Sequence, residues 1–309
     1  MCIVACGVNI HASYALILVT NRDEFYARPS RPAHVWSDGA LVAGLDDQSC
    51  GSWLAARVGS SRVAVVTNHR SGPKEFEDKH SRGDLVVDFC QRDRSDIELS
   101  AAEYCRSVHA HGEDYNGFNL LAYDGNQLCH VSNRHPKSDP QQVHVLEPGR
   151  VYGLCNGLLD TPWPKTERLK SLLEKTVRLE AKETWNHDDL LNLLHDTQMP
   201  RDEHLPDTNV GIELERLLAP IFIQNDEFGY GTVCSTVVTI THDGQMELTE
   251  YTYGVGARQE GKVHMSWNIW DENCQNGNKN ANQSTNATPG SRVDGRPLTS
   301  QSDLLPRKI

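Results

Sequence analysis

An α+β fold of stacked sheets flanked by helices is what the sequence predicts, and three observations carry that reading. Apolar, strand-like segments crowd the first half of the chain. Helical spacing takes over from Pro164, and strands return from Gly231 to Tyr253. An order of β, then helix, then β again suits packed sheets better than the strict alternation of a doubly wound fold.

The elements follow in chain order. Cys2-Ile3-Val4-Ala5-Cys6 reads as a strand, followed by a turn-like Asn9–Ser13. Tyr14–Thr20 is apolar on both faces, the pattern of a strand buried between two layers. Segments 39–45, 52–58 and 62–68 read as three further strands, Val63–Asn68 most plainly. Ser81–Phe89 has helical spacing. Gly117–Tyr123 and Gln127–Ser132 form a hairpin around Asp124-Gly125-Asn126, a turn signal. A proline-started helix over Pro164–Val177 puts Leu169, Leu172 and Leu173 on one face. Shorter helices follow at 188–196 and 212–218, then strands 231–241 and 246–253.

The chain has 309 residues and a formal net charge of −12. That length buries a sizeable core. The acidic balance disfavours phosphate backbones and anionic lipid as broad partners. No apolar run approaches the ~20 residues a membrane-spanning helix needs. The N-terminus lacks the basic and apolar regions of a secretory signal, so a cytoplasmic location is expected. Nine cysteines, odd in number and without a CxxC pair, fit a reducing compartment. His109-x-His111 is too sparse for a closed metal site, and no metal is expected. From Asp271 onward Asn, Ser, Gly and Thr dominate and periodicity ends. The expected organisation is one domain over 1–270 and a disordered polar tail over 271–309.

Two features bear on chemistry. If Met1 is removed, Cys2 carries both a thiol and a free α-amine, so one residue holds a nucleophile and its base. Asn21-Arg22-Asp23-Glu24-Phe25 closes the second apolar strand, and charges there are costly unless paired or lining a site. A hairpin of the first two strands would bring them beside Cys2. Arg22 would then lower the thiol pKa, and Asp23 or Glu24 would hold the amine. Asn68, at the end of its strand, and Asn156, in Gly153-Leu154-Cys155-Asn156-Gly157, could stabilise an oxyanion.

Met1-Cys2-Ile3, Asn21–Phe25 with Arg28-Pro29, Gly51-Ser52-Trp53-Leu54, Thr67-Asn68 and Ser81-Arg82-Gly83 form an ordered series of blocks. Tyr115–Leu120, Ser132-Asn133-Arg134, Tyr152–Asn156 and Thr161-Pro162-Trp163 continue it. Together, over residues 1 to about 255, they resemble the transport and Golgi organisation 2 family, also called the NRDE family. The resemblance implies a single-domain, four-layer α-β-β-α sandwich of the N-terminal nucleophile hydrolase type. It implies Cys2 as nucleophile, with Arg22 and Asp23 or Glu24 as its neighbours. Asn68 would be the oxyanion asparagine and Asn156 the second one.

One position departs from the pattern. Gly231-Thr232-Val233-Cys234-Ser235-Thr236 carries Val233 where relatives of this type have arginine. Loss of that cation favours binding over hydrolysis. The expectation is therefore a protein that binds and mobilises heme or an acyl-CoA-like amphiphile, working near mitochondria or the Golgi. The alternatives are a Cys2-dependent amidase or thioesterase and a secretory-pathway scaffold with a vestigial site.

Overall fold

The computed structural model describes residues 2–70, 75–91, 98–136, 138, 141–179, 185–270 and 282–285. In chain order the strands and helices begin with β1 (Cys2–His11), β2 (Tyr14–Phe25), β3 (Ser30–Val35), β4 (Leu41–Asp46), β5 (Leu54–Arg57) and β6 (Val63–Asn68). Helices α1 (Asp84–Cys90) and α2 (Ala101–Ala110) follow, then β7 (Phe118–Tyr123), β8 (Leu128–Ser132), β9 (Val143–Leu146) and β10 (Tyr152–Leu154). Next come α3 (Pro164–Leu179), α4 (His187–Asn192) and α5 (Ile212–Leu217). The last strands are β11 (Gln224–Asn225), β12 (Tyr230–Thr241), β13 (Gln245–Tyr253), β14 (Gln259–Asn268) and β15 (Asn282–Thr285).

The strands make two antiparallel sheets, so the fold is α+β. The first sheet runs β10-β1-β2-β12-β13-β14-β15, with β11 also on β12, and the second runs β3 through β9 in sequence order. Val4, Leu18, Val238 and Leu248 of the first sheet pack between the sheets with Val65 and Leu121 of the second. The alternate residues of the second sheet, among them Val66, Phe118 and Leu120, pack with Leu85 and Phe89 of α1 and Cys105 of α2. Those of the first sheet, Ile3, Ile17 and Val237, pack with Leu169 and Leu173 of α3 and Leu190 of α4. Period-two alternation places each of these residues on its face.

The structure departs from the sequence reading at definite points. Asn9 does not end the first strand. It sits in the left-handed region at φ 53° within an irregular stretch of pairing, and the strand continues to His11. Asparagine tolerates that conformation better than most residues. Strand β3 contains Pro32, and it is accommodated because β3 is an edge strand. Helix α2 was unpredicted although its capping box is complete: the Ser100 hydroxyl accepts from the Glu103 N–H, and Glu103 accepts from the Ser100 N–H. Strand β14 was also unpredicted. Its inward Val263, Met265 and Trp267 alternate with outward Lys262, His264 and Ser266.

The expected disordered tail lies outside the described residues except for Asn282–Thr285, which pair with β14. Among the described residues eight cysteines are free thiols, and only Cys50 is exposed. No helix among them is long and apolar enough to cross a membrane.

Candidate functional site

The β1–β2 hairpin does what the charged end of β2 required: its register sets Cys2 opposite Arg22. Cross-strand partners share a face, so both side chains point between the sheets. Arg22 is 6% exposed. It donates to Asp46 Oδ2 at 3.0 Å and to Ser30 Oγ at 3.3 Å, and its guanidinium lies 4.3 Å from the Trp53 ring centre. Trp53 can reach this place because residue 44 is glycine; a Cβ there would stand 2.3 Å from the indole. Asp46 also accepts from Arg28 Nε at 2.7 Å and from the Gln48 and Ser49 N–H groups, each at 3.0 Å. Burial pushes its carboxyl up. The hydrogen bond and charge of Arg28, with Ser49 and Arg22, outweigh burial and hold Asp46 below the usual carboxylate range.

The expected thiol activation does not occur in the chain as it stands. Burial dominates, reinforced by Asp23 and opposed by the N-terminal amine and by Arg22, so the Cys2 pKa is pushed up to about 11. A buried thiol beside a cation that is already spent on Asp46 stays protonated.

Asp23 and Glu24 part company because successive residues face opposite sides of a strand. Asp23 points to the helix-covered face, is fully buried, and accepts from Thr232 Oγ1 at 2.8 Å. Burial raises its pKa, and the charge of Lys165 opposes the rise. Glu24 instead accepts its neighbour Phe25 N–H at 2.9 Å and lies 3.7 Å from Arg28. Asn21, next along the strand, is structural: it donates to the carbonyls of Leu194 and Ile221 and accepts from Ser235 Oγ at 2.6 Å.

The two asparagines close the same end of the molecule from both sheets. Asn156 donates to the Asn68 carbonyl at 2.8 Å and accepts from the Cys155 thiol at 3.3 Å. Thr67 donates to the Cys155 carbonyl at 2.6 Å. Asn156 is buried, and both ends of its amide are hydrogen-bonded within the protein. The Asn68 side chain makes no hydrogen bond among the described residues.

Val233 falls in an irregularity between Thr232 and Cys234 in the β12–β2 pairing, beside Arg22. It lines a cleft of about 330 Å³ between the sheets, walled by Arg22, Arg28, Trp53, Glu250 and Tyr253. Glu250 is buried, accepts from the Ala33 N–H at 2.7 Å and from Thr236 at 3.1 Å, and is raised by burial. Sequence reasoning missed Asp46, Glu250 and Lys165. Asp46 stands in a turn-like Asp46-Asp47 pair and Lys165 on an apparently solvated helix face. Neither carries a local signal of its distant partner.

A profile of the Transport and Golgi organisation 2 family matches residues 1–254. The chain is 32% identical over 252 residues to the Homo sapiens "Transport and Golgi organization protein 2 homolog", covering 77% of this chain and 86% of that one. The Mus musculus "Transport and Golgi organization 2 homolog" matches with the same identity and coverage. The Drosophila melanogaster "Transport and Golgi organization protein 2" is 27% identical over 253 residues, again covering 77% and 86%. The charged hairpin end, the paired asparagines and the ordered blocks thus have one family as their source, and the chain belongs to the Transport and Golgi organisation 2 family.

Proposed function

We propose that this chain binds and mobilises an anionic amphiphile in the cleft between its sheets, with heme and long-chain acyl-CoA as the candidate ligands. The role is a transport function of the kind the relatives' names describe, exercised in the cytoplasm at the surface of the Golgi or mitochondria. The observation that carries this reading is the chemistry of the cleft over Arg22. It sets Arg28 and Arg31, partly exposed though paired with Asp46 and Asp47, over the buried Arg22, Trp53 and Tyr253. Carboxylate or phosphate groups suit the arginines, and an apolar body suits the rings. The three apolar clusters support reading the fold as the four-layer α-β-β-α sandwich of N-terminal nucleophile hydrolases, with the catalytic use of Cys2 set aside.

Thermal melting with added heme or long-chain acyl-CoA tests the proposal. The melting temperature is expected to rise with the logarithm of ligand concentration, because a ligand that binds only the folded state stabilises it by mass action. Arg28→Ala with Arg31→Ala should abolish the rise. No shift for either ligand well above micromolar concentration overturns the carrier reading.

A second reading, a Cys2-dependent amidase or thioesterase, draws support from the Asn68 amide, which makes no hydrogen bond among the described residues. It requires loss of Met1, which intact mass measures. In limited iodoacetamide labelling of the Met1-retaining chain, the exposed Cys50 should react well before Cys2. Rapid Cys2 labelling after Met1 loss, slowed by Arg22→Ala, would instead favour hydrolysis.

A further inference from the structure

The outer face of the first sheet holds a second cluster of chemistry-bearing side chains, remote in sequence from the NRDE block. His187 opens α4 and is fixed there by the Asn186 cap, whose side chain accepts the Asp188 N–H at 3.0 Å. Glu247 lies two residues before Thr249 on β13, and His264 lies opposite Thr249 on β14. One donor atom from each of His187, Glu247 and His264 lies within 4.8 Å of the others. We propose that these three residues bind a divalent first-row transition-metal ion of the zinc type.

Three features of the geometry support the assignment. His187 Nε2 and Glu247 Oε2 are 3.6 Å apart, a separation that one ion at ~2.1 Å from each can bridge. Small rotations of the half-buried Glu247 and His264 side chains bring the third donor in. Secondly, the Thr249 hydroxyl lies 2.8 Å from His187 Nδ1 and 2.9 Å from His264 Nδ1. A hydroxyl has two acceptor lone pairs, so it can take an N–H from both rings and leave both Nε2 atoms as bare ligands. Thirdly, a cavity of about 420 Å³ adjoins the cluster, so the ion would keep positions open to water or a small ligand. Two imidazoles with one carboxylate and open positions suit zinc or ferrous iron better than magnesium or calcium, which prefer oxygen donors.

Two neighbours have to be reconciled with a cation. Lys262 also lines the cavity, but its ammonium is held by Asp188 at 2.8 and 3.2 Å, and Asp188 accepts from Tyr251 as well. The Thr239 hydroxyl lies 2.8 Å from His187 Nε2 and would be exchanged for the metal. The ion would clasp the start of α4 to β13 and β14.

The test uses the full chain, dialysed against Zn²⁺ with bound metal counted by mass spectrometry. Stoichiometric uptake is expected. Co²⁺ in place of zinc should give weak visible bands without the near-ultraviolet band of a cobalt–thiolate bond, since no cysteine is involved. Glu247→Gln and His264→Gln should each weaken uptake at least ~10-fold, and Cys50→Ser should leave it unchanged. Circular dichroism of the metal-free variants checks that they fold. Failure of the wild type to take up zinc, uptake that survives both substitutions, or a cobalt–thiolate band would overturn the proposal.

Discussion

The outer faces of the two sheets are built on different principles. Beneath α1 and α2 the second sheet presents Leu41, Ala43, Ala55, Val66, Phe118 and Leu120, an apolar surface. Beneath α3 and α4 the first sheet mixes Ile3, Ile17 and Val237 with Asn21, Asp23, Ser235, Thr239 and Thr249, all buried. Apolar burial dominates the first pair of layers, with a few polar ties such as Arg62 Nε to the Phe89 carbonyl at 2.9 Å. The other pair is held by apolar contact together with directional bonds such as Asn21 to the Leu194 and Ile221 carbonyls. The proposed metal cluster lies on the mixed face, whereas the cleft over Arg22 lies between the sheets, so buried polarity on the outer face serves layer packing as well as any chemistry.

Substitutions can break that comparison at several depths. The largest effect is expected from Phe118→Ala on the apolar face, a loss of about 3–5 kcal/mol in denaturant unfolding, because transfer and cavity terms add. Asn21→Ala should cost about 2 kcal/mol, since it strands two buried carbonyls and the Ser235 hydroxyl. A neutral result there would show that water replaces the amide. The smallest effect, and of opposite sign, is expected for Asp23→Asn. Burial raises the Asp23 pKa in the folded chain, so its contribution to stability is present below the unfolded value near 3.8 and is lost as pH rises through the folded pKa. The asparagine variant should therefore melt higher than wild type at neutral pH, with the gap closing below about pH 4. A lower melting point at neutral pH would mean that the Lys165 charge outweighs burial and that Asp23 is a stabilising partner.

Much of this architecture was legible because it rests on local pattern. The apolar runs of β2 and β6, the Asp124-Gly125-Asn126 turn and the proline start of α3 all declare themselves within a few residues. The juxtaposition of Cys2 with Arg22 was legible for the same reason, since two consecutive strands make a hairpin. Asp46, Glu250 and Lys165 were not, because their meaning comes from partners across the sheets or from the helix layer. Nor was the raised pKa of Cys2: charge proximity could be inferred from sequence, but the depth of burial that outweighs it could not. His264 was hidden twice, on a strand whose polar outer face masked its alternation and opposite partners more than ten residues away.

The place of β2 in the first sheet has a consequence for how the chain is made. Its neighbour on one side is β1, available at once, but on the other it is β12, with Thr20 opposite Thr236. At about 5–20 residues per second, a ribosome needs on the order of 10–40 s to deliver that second neighbour after the first hairpin has emerged. Throughout that interval the edge of β2, with Leu16, Leu18 and Val19, has no strand to pair with, and such edges recruit other chains. Synthesis of this protein therefore passes through a long, sticky adolescence, in which a chaperone holding the N-terminal hairpin would decide yield more than the stability of the finished sheet.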